Sequence, residues 1–549
     1  MEPDTADPAP GAADTTPDAA GTASGAPDTP PEGVDLTPGA DGHAMFGSLG
    51  FERLALIDAQ LASTDAFLER TYPGETGRRQ PVHTVYVPAD RYAPDLPRRW
   101  GDEAIAAVEA FGGIETLCAE LGLDPELTAQ VGPRVMAKLR SEPIEDLRVD
   151  FEDGYGDRGD APEDAALAAA VRGLREAQEQ GAGTPFFGIR FKCFEAPTRR
   201  RGLRTLDGFV TGMTDRGRPN GEVGASGAGG EHGGGEHGGG ERSATLPEGL
   251  VLTLPKVSTV SQVEAMVVAC EGLEEALGLE RGRIGFEIQV ETPQLILGHD
   301  GRIPVVAALH AGGGRVTSLH YGTYDYSASL GVSAEYQSME HPVADQAKAL
   351  MQLAVAGTGV HLSDGSTNVL PVGDREQVAA AWRLHHRLVT RSLAGAIYQG
   401  WDLHPGHLPT RFIATYAFYR EGFPRAAGRL HAYVHQTGGA VLDEPATARA
   451  LARYLYRGVV CGAIDEAELL DATGLTAARL ELLARPKSDT EHVLSGAPTS
   501  DTPASGAPAS DTSTSDTSTS GAPTSGAPTS GTPTSGTPAS DTPTSDPAE

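Results

Sequence analysis

Ile284-Gly285-Phe286-Glu287-Ile288-Gln289-Val290, closed by Glu291-Thr292-Pro293, is a short apolar run of strand length that ends in a carboxylate. It is one of eight. The others are Val82 to Val87, Leu147 to Phe151, Phe186 to Lys192, Leu250 to Lys256, Val316 to Tyr321, Gly359 to Leu362 and Ala396 to Leu403, of which Gly359 to Leu362 is the weakest strand signal. Between them lie Ala-, Leu-, Glu- and Arg-rich stretches such as Glu163-Asp164-Ala165-Ala166-Leu167, long enough to form crossover helices. Several runs are nearly continuous in hydrophobicity, as strands covered on both faces are. Eight such βα units in succession predict an α/β fold, a closed (β/α)8 TIM barrel with its chemistry on the loops after the strand C-termini.

The barrel domain is expected over residues 46–408, interrupted by a Gly-rich insertion at 211–244 in which Gly-Glu-His-Gly-Gly-Gly recurs. His232 and His237 sit in that tract, and a flexible glycine segment holds no fixed coordination geometry. Residues 409–487 read as a helical extension, with aromatic and apolar residues at helical spacing in Phe412 to Tyr419 and again in Ala448 to Val460. Such an extension is expected to cap the barrel or mediate oligomerisation, and the Phe and Tyr stripe reads as packing. Residues 1–45 are almost wholly Ala, Pro, Gly, Asp and Thr, and 488–549 repeat units such as Ser-Gly-Ala-Pro-Thr-Ser. Neither end has the apolar content to offset the entropy of ordering, so both are expected to be disordered tails.

The formal charge of −32 has a local origin: nine acids in residues 1–45 and eight from Asp489 onward face no Lys or Arg. The remainder carries about −15, ordinary for an acidic protein, with no basic footprint for nucleic acid or anionic membrane. The four cysteines (Cys118, Cys193, Cys270, Cys461) form no CxxC pair, which argues against a zinc knuckle or disulfide scaffold and fits a reduced cytoplasm. No apolar run approaches the ~20 residues of a membrane span, and the N-terminus lacks a basic segment followed by an apolar core.

Several expected strands finish in charged residues. The second runs into Asp150-Phe151-Glu152-Asp153, the third carries Arg190 and Lys192, the fourth ends Pro255-Lys256, the fifth reaches Glu291, and the sixth runs into Tyr321-Gly322-Thr323-Tyr324-Asp325-Tyr326. One charged strand end is a solvated terminus; five in register point at a common mouth. Glu291 and Asp325 offer hard oxygen ligands from adjacent strands, suited to Mg²⁺ or Mn²⁺. A cation chelated by a 2-oxo acid polarises its carbonyl and stabilises an enolate, with Arg190 placed to neutralise the same oxyanion.

Leu147-Arg148-Val149-Asp150-Phe151-Glu152-Asp153 resembles the Asp-x-Glu-Asp strand of the citrate lyase β-subunit and HpcH/HpaI aldolase superfamily. Phe187-Gly188-Ile189-Arg190 is similar to its arginine strand, Leu252-Thr253-Leu254-Pro255-Lys256-Val257 to its Leu-Pro-Lys strand, and Gln289-Val290-Glu291-Thr292 to the strand with its first metal ligand. Gly322 to Gly331 resembles the Gly-x-Glu-Asp stretch, and Leu403-His404-Pro405 the Ile-His-Pro segment. The resemblance runs in order from Asp150 to Pro405. It implies Glu291 and Asp325 as metal ligands, Arg190 and Glu152 as catalytic groups, and Lys256, Tyr324, Asp325 and His404 beside Arg190 at the substrate. It implies a carbon-carbon lyase or aldolase acting on a 2-oxo acid or acyl-CoA, with a homo-oligomer expected. Tyr324 stands where the family commonly has Glu, residues 297–302 lengthen the spacing from Glu291 to Asp325, and the Gly-rich insertion has no counterpart.

Other readings stay open. A Schiff-base role for Lys256 would need no metal. Malate-synthase-like condensation of an acyl-CoA uses related chemistry in the opposite direction. A catalytically inactive, metabolite-binding barrel is a further class. The Lys-Lys-Cys-Gly-His loop of the isocitrate-lyase branch is absent. Asp150, Glu152 and Asp153 could instead form a rim salt-bridge cluster with Arg148 or Lys192, His404 could close a strand end by hydrogen bonding, and Arg199, Arg200, Arg201 and Arg204 could be a solvated basic loop or a phosphate site.

Overall fold

Every expected run overlaps a strand in the computed structural model, which describes residues 50–215, 244–435 and 444–485. The strands are β1 (His83–Pro88), β2 (Asp146–Asp150), β3 (Phe186–Arg190), β4 (Leu250–Leu254), β5 (Phe286–Val290), β6 (Val316–Tyr321), β7 (His361–Ser363) and β8 (Gly400–Asp402). All are parallel and pair in the order β7-β6-β5-β4-β3-β2-β1-β8. A bridge between Ser363 and Gln399 brings the two ends together, with Asp364 N–H donating to Gln399 O at 2.9 Å and Trp401 N–H to Gly365 O at 3.0 Å. The eight strands thus form a barrel with its helices outside.

The strand ends differ from the sequence reading for local reasons. β4 stops at Leu254 because Pro255 has no N–H for the ladder and Lys256 takes a left-handed backbone, φ 50°. The eighth strand shortens to Gly400–Asp402, since Ala396 is also left-handed, φ 61°.

Side chains alternate along each strand. Leu147 and Val149 of β2 and Ile288 and Val290 of β5 join the apolar layer, whereas Asp146, Arg148, Glu287 and Gln289 meet in a polar network. Arg148 donates to Glu287 at 2.9 Å and to Thr253 Oγ1 at 3.1 Å and also pairs with Asp146. Tyr86 O–H donates to Glu287 at 3.2 Å, and Trp401 Nε1 donates to His320 Nδ1 at 2.9 Å. Both sets are buried, which is why the strands read as buried runs even though one set is ionic.

The helix Leu408–Val434 packs against Arg375–Ala394, Pro125–Ser141 and Leu96–Phe111, the place of an eighth barrel helix. Three further helices, Pro445–Val460, Glu466–Thr473 and Ala477–Ala484, follow. They lie near the strand N-termini: Tyr456 O–H donates to Gly77 O at 3.0 Å and Arg457 pairs with Glu75 at 2.9 Å, both just ahead of β1. The last described helices therefore cover the face opposite the mouth.

The segments 1–45 and 488–549 lie outside the described residues, as does most of 211–244, including His232 and His237. Where the chain leaves and re-enters that insertion, Asp215 and Thr245 exchange backbone hydrogen bonds at 2.9 and 3.0 Å. Among the described residues no helix is long and apolar enough to cross a membrane. All four cysteines are free and buried.

Candidate active site at the strand C-termini

Arg190, the last residue of β3, is fixed by its neighbour strand. Its Nε and Nη2 donate to the two oxygens of Asp150 at 2.7 Å each, a bidentate clamp in a buried setting. The Asp150 carboxylate also accepts the N–H groups of Glu152 and Gly154, at 2.9 and 2.8 Å, so it shapes the turn after β2. Against the cost of burial, Arg190 and these N–H groups hold Asp150 below the usual carboxylate range. The guanidinium rests over the Tyr86 ring, 4.9 Å from its centroid, leaving Nη1 as the edge facing Glu152 Oε2 at 3.5 Å. The rim cluster anticipated with Arg148 or Lys192 is thus an Asp150–Arg190 pair. Lys192 turns away to Glu163 and two carbonyls.

Lys256 stands at the centre. Its ammonium lies 3.0 Å from Glu152, 2.6 Å from Asp153 and 3.8 Å from Asp325. Its own backbone N–H, in the left-handed conformation, donates to Glu291 Oε2 at 3.0 Å. A backbone strained at a non-glycine residue is held only where the surroundings over-determine it, and here four carboxylates do so. Gly322, just after β6, lets Glu291 through: a Cβ there would lie 2.2 Å from Glu291 Cγ.

Glu291 is buried, and burial beside Glu152 and Asp325 pushes its carboxyl up to about 8 despite Arg190 and Lys256. Glu152 is raised as well, first by desolvation and then by Asp153, and its Oε2 is buried without a hydrogen bond. Asp325, half-exposed, is raised by desolvation and by Asp153. Five carboxylates (Asp150, Glu152, Asp153, Glu291, Asp325) thus share two cations, Arg190 and Lys256. The donor set fits a hard divalent cation: oxygen ligands, excess negative charge and an unsatisfied carboxylate oxygen. Lys256 does not fit a Schiff-base role, because Glu152 and Asp153 hold its ammonium well above the usual lysine value when an amine nucleophile needs the reverse.

Two further expected residues hold loop backbone. Tyr324 O–H donates to Ser366 O at 3.4 Å and accepts from Asn368 N–H at 2.6 Å, tying the loop after β7 to the mouth. His404 Nδ1 accepts from Gly406 N–H at 3.0 Å, and none of its contacts joins it to the groups around Lys256. Of the arginines after β3, Arg201 and Arg204 are engaged by Asp160, Glu163 and Asp164.

The sequence reading missed Tyr86 beneath Arg190, whose only signal was its place on a strand beginning at His83. It also missed a second cluster. Among the described residues one group of three potential ligands has its donor atoms within 4.8 Å of one another: His385, Asp402 and His407. Its charges are already matched, since Arg411 contacts both Asp402 oxygens, at 2.9 and 3.1 Å. His385 bridges Asp402 and Thr410, and His407 donates to Val369 O at 3.0 Å. This is a latch holding β8 to the helices that flank it.

A family model described as "Domain of unknown function (DUF6986)" matches residues 61–223 and 240–488. The chain belongs to this family. No curated protein matches it. The chain has remote likenesses among solved structures. Haloferax volcanii malate synthase in a magnesium/glyoxylate complex is 13% identical over 67% of this chain and 79% of that one, with a TM-score of 0.37. CitE from Mycobacterium tuberculosis, in complex with magnesium, acetoacetate and coenzyme A, is 15% identical over 70% and 99%, with a TM-score of 0.36. An HpcH/HpaI aldolase/citrate lyase family protein from Burkholderia cenocepacia J2315 is 15% identical over 65% and 98%, with a TM-score of 0.29. Similarity this remote carries no argument about function, which rests on the site itself.

Proposed function

We propose that the protein is a metal-dependent carbon–carbon lyase or aldolase that works through the enolate of a 2-oxo acid or acyl-CoA. The observation that carries this reading is the set of carboxylates around Lys256, with Glu291 buried beside Glu152 and Asp325 and pushed up to about 8. A cluster built only for stability would have its charges matched, as at Asp402. Glu291 and Asp325 would hold Mg²⁺ or Mn²⁺, which when bound polarises a carbonyl and stabilises negative charge on the enolate oxygen.

The protein's own groups divide the remaining work. Arg190, immobilised by Asp150, presents Nη1 where an oxyanion develops and needs no reorganisation to do so. Glu152, whose carboxyl is raised by burial and whose Oε2 accepts no hydrogen bond, takes or returns the proton at the reacting carbon or hydroxyl. Lys256 keeps Glu152 and Asp153 in place and offers a cation to a substrate carboxylate.

Pyruvate, oxaloacetate and glyoxylate, assayed with simple aldehydes and acyl-CoAs with and without Mg²⁺, test the proposal. Turnover that needs the metal and is lost on chelation is expected. Cleavage of a CoA thioester assigns a lyase, condensation a malate-synthase-like direction, and cleavage of a free hydroxy acid an aldolase. Metal-independent turnover trapped by borohydride would overturn it.

A further inference from the structure

The opposite end of the barrel carries a second set of charged groups. Beside a smaller recess with which it shares His361, Tyr398, Arg453 and Arg457, a cavity of about 410 Å³ lies between the strand N-termini and the helix Pro445–Val460. Its size is that of a metabolite site. The two are walled by distant parts of the chain: His361 at the start of β7, Tyr398 before β8, and Arg453 and Arg457 on one helix line both, while Arg78 ahead of β1 and Tyr456 line the recess.

The charge balance on these walls favours an anion. Glu75 is matched by Arg457 at 2.9 Å, Glu481 by Arg485 at 2.7 Å, and Arg79 pairs with Glu142 and Glu145. Two guanidiniums remain without a carboxylate among the described residues. Arg453 donates through Nε to Ala484 O at 3.0 Å and Arg78 through Nε to Thr76 Oγ1 at 3.2 Å, which leaves the paired Nη groups of each for a bidentate partner. Arg79 adds a buried Nε without a hydrogen bond. Arg457 lies over the Tyr398 ring at 4.1 Å, a stacked and oriented cation. In keeping with that field, burial, Arg457 and Arg78 drive His361 down to about 3, so its neutral ring adds a polar contact without charge.

We infer that the recess, together with the cavity that shares its wall, binds a small multivalent oxyanion, a polycarboxylate or a phosphate ester, held between Arg78 and Arg453. The site is separate from the carboxylate-rich mouth. It is a function of the C-terminal helices, without which Arg453 and Tyr456 would be absent.

Titration calorimetry on the full chain, in buffer stripped of metal so that the acidic mouth repels polyanions, tests this with citrate and pyrophosphate as probes. One saturable site is expected for at least one of them. Citrate alone marks a carboxylate site, pyrophosphate alone a phosphate site, and both together a general oxyanion site. Arg453→Gln and Arg78→Gln should each weaken binding at least tenfold. The exposed Arg78 keeps the test decisive if Arg453→Gln loosens the last helix. Absence of saturable binding of both probes, or affinities unchanged in Arg78→Gln, would overturn the assignment.

Discussion

Glu287 and Glu291 stand four residues apart along β5 and its continuation, both buried, and they are held in opposite states. Glu287 meets Arg148, Tyr86 and Thr253, and Arg148 with His320 pulls its carboxyl far below the usual range despite complete desolvation. Glu291 meets one backbone N–H and two like charges and is pushed up to about 8. Burial is common to both, so burial does not make the site; what differs is whether the surrounding groups supply the compensating charge or leave it to a ligand.

The largest effect should come from breaking the matched set. Arg148→Leu leaves Asp146 and Glu287 buried without their guanidinium, and a loss of about 3–5 kcal/mol in urea denaturation is expected. Glu291→Gln should do the reverse: the fold survives, while metal-dependent turnover falls by roughly 10²–10³, as for loss of one group that stabilises developing charge. An equal stability loss in both variants would erase the distinction between the two glutamates.

The third expectation concerns pH. Folded, metal-free protein keeps the Glu291 proton to about 8, whereas the unfolded chain releases it near 4.5. The folded state therefore binds more protons in that window, and stability should fall as pH rises through it, by a few kcal/mol in total. Mg²⁺ should flatten the slope, metal binding should release a proton below about pH 8, and Glu291→Gln should abolish both effects. Melting curves from pH 5 to 9 decide this, and a slope of the opposite sign would refute it. The smallest effect is expected of Tyr86→Phe, which keeps the ring under Arg190 but removes the hydroxyl that joins it to Glu287. It should cost about 1 kcal/mol of stability and change kcat only a few-fold.

The strands were legible because each is a local pattern, and parallel strands in a barrel present their C-termini at one end. From that, the sequence alone places Arg190, Glu152, Lys256, Glu291 and Asp325 at a common mouth. The partners of Tyr324 and His404, which are Ser366, Asn368 and Gly406, were not legible, since they depend on loop paths that composition does not encode.

What the chain's own residues determined, then, was the eight-unit barrel and the end at which its charges collect, for apolar periodicity and strand polarity are properties of consecutive residues. Only the folded molecule decided which charges find partners. Asp150 clamps Arg190, Glu287 is neutralised by Arg148 and Glu291 is not, and the last helices close the far end rather than the mouth. Those outcomes depend on register and on contacts between segments 35 to 379 residues apart, where a few ångströms set the size of a Coulomb interaction.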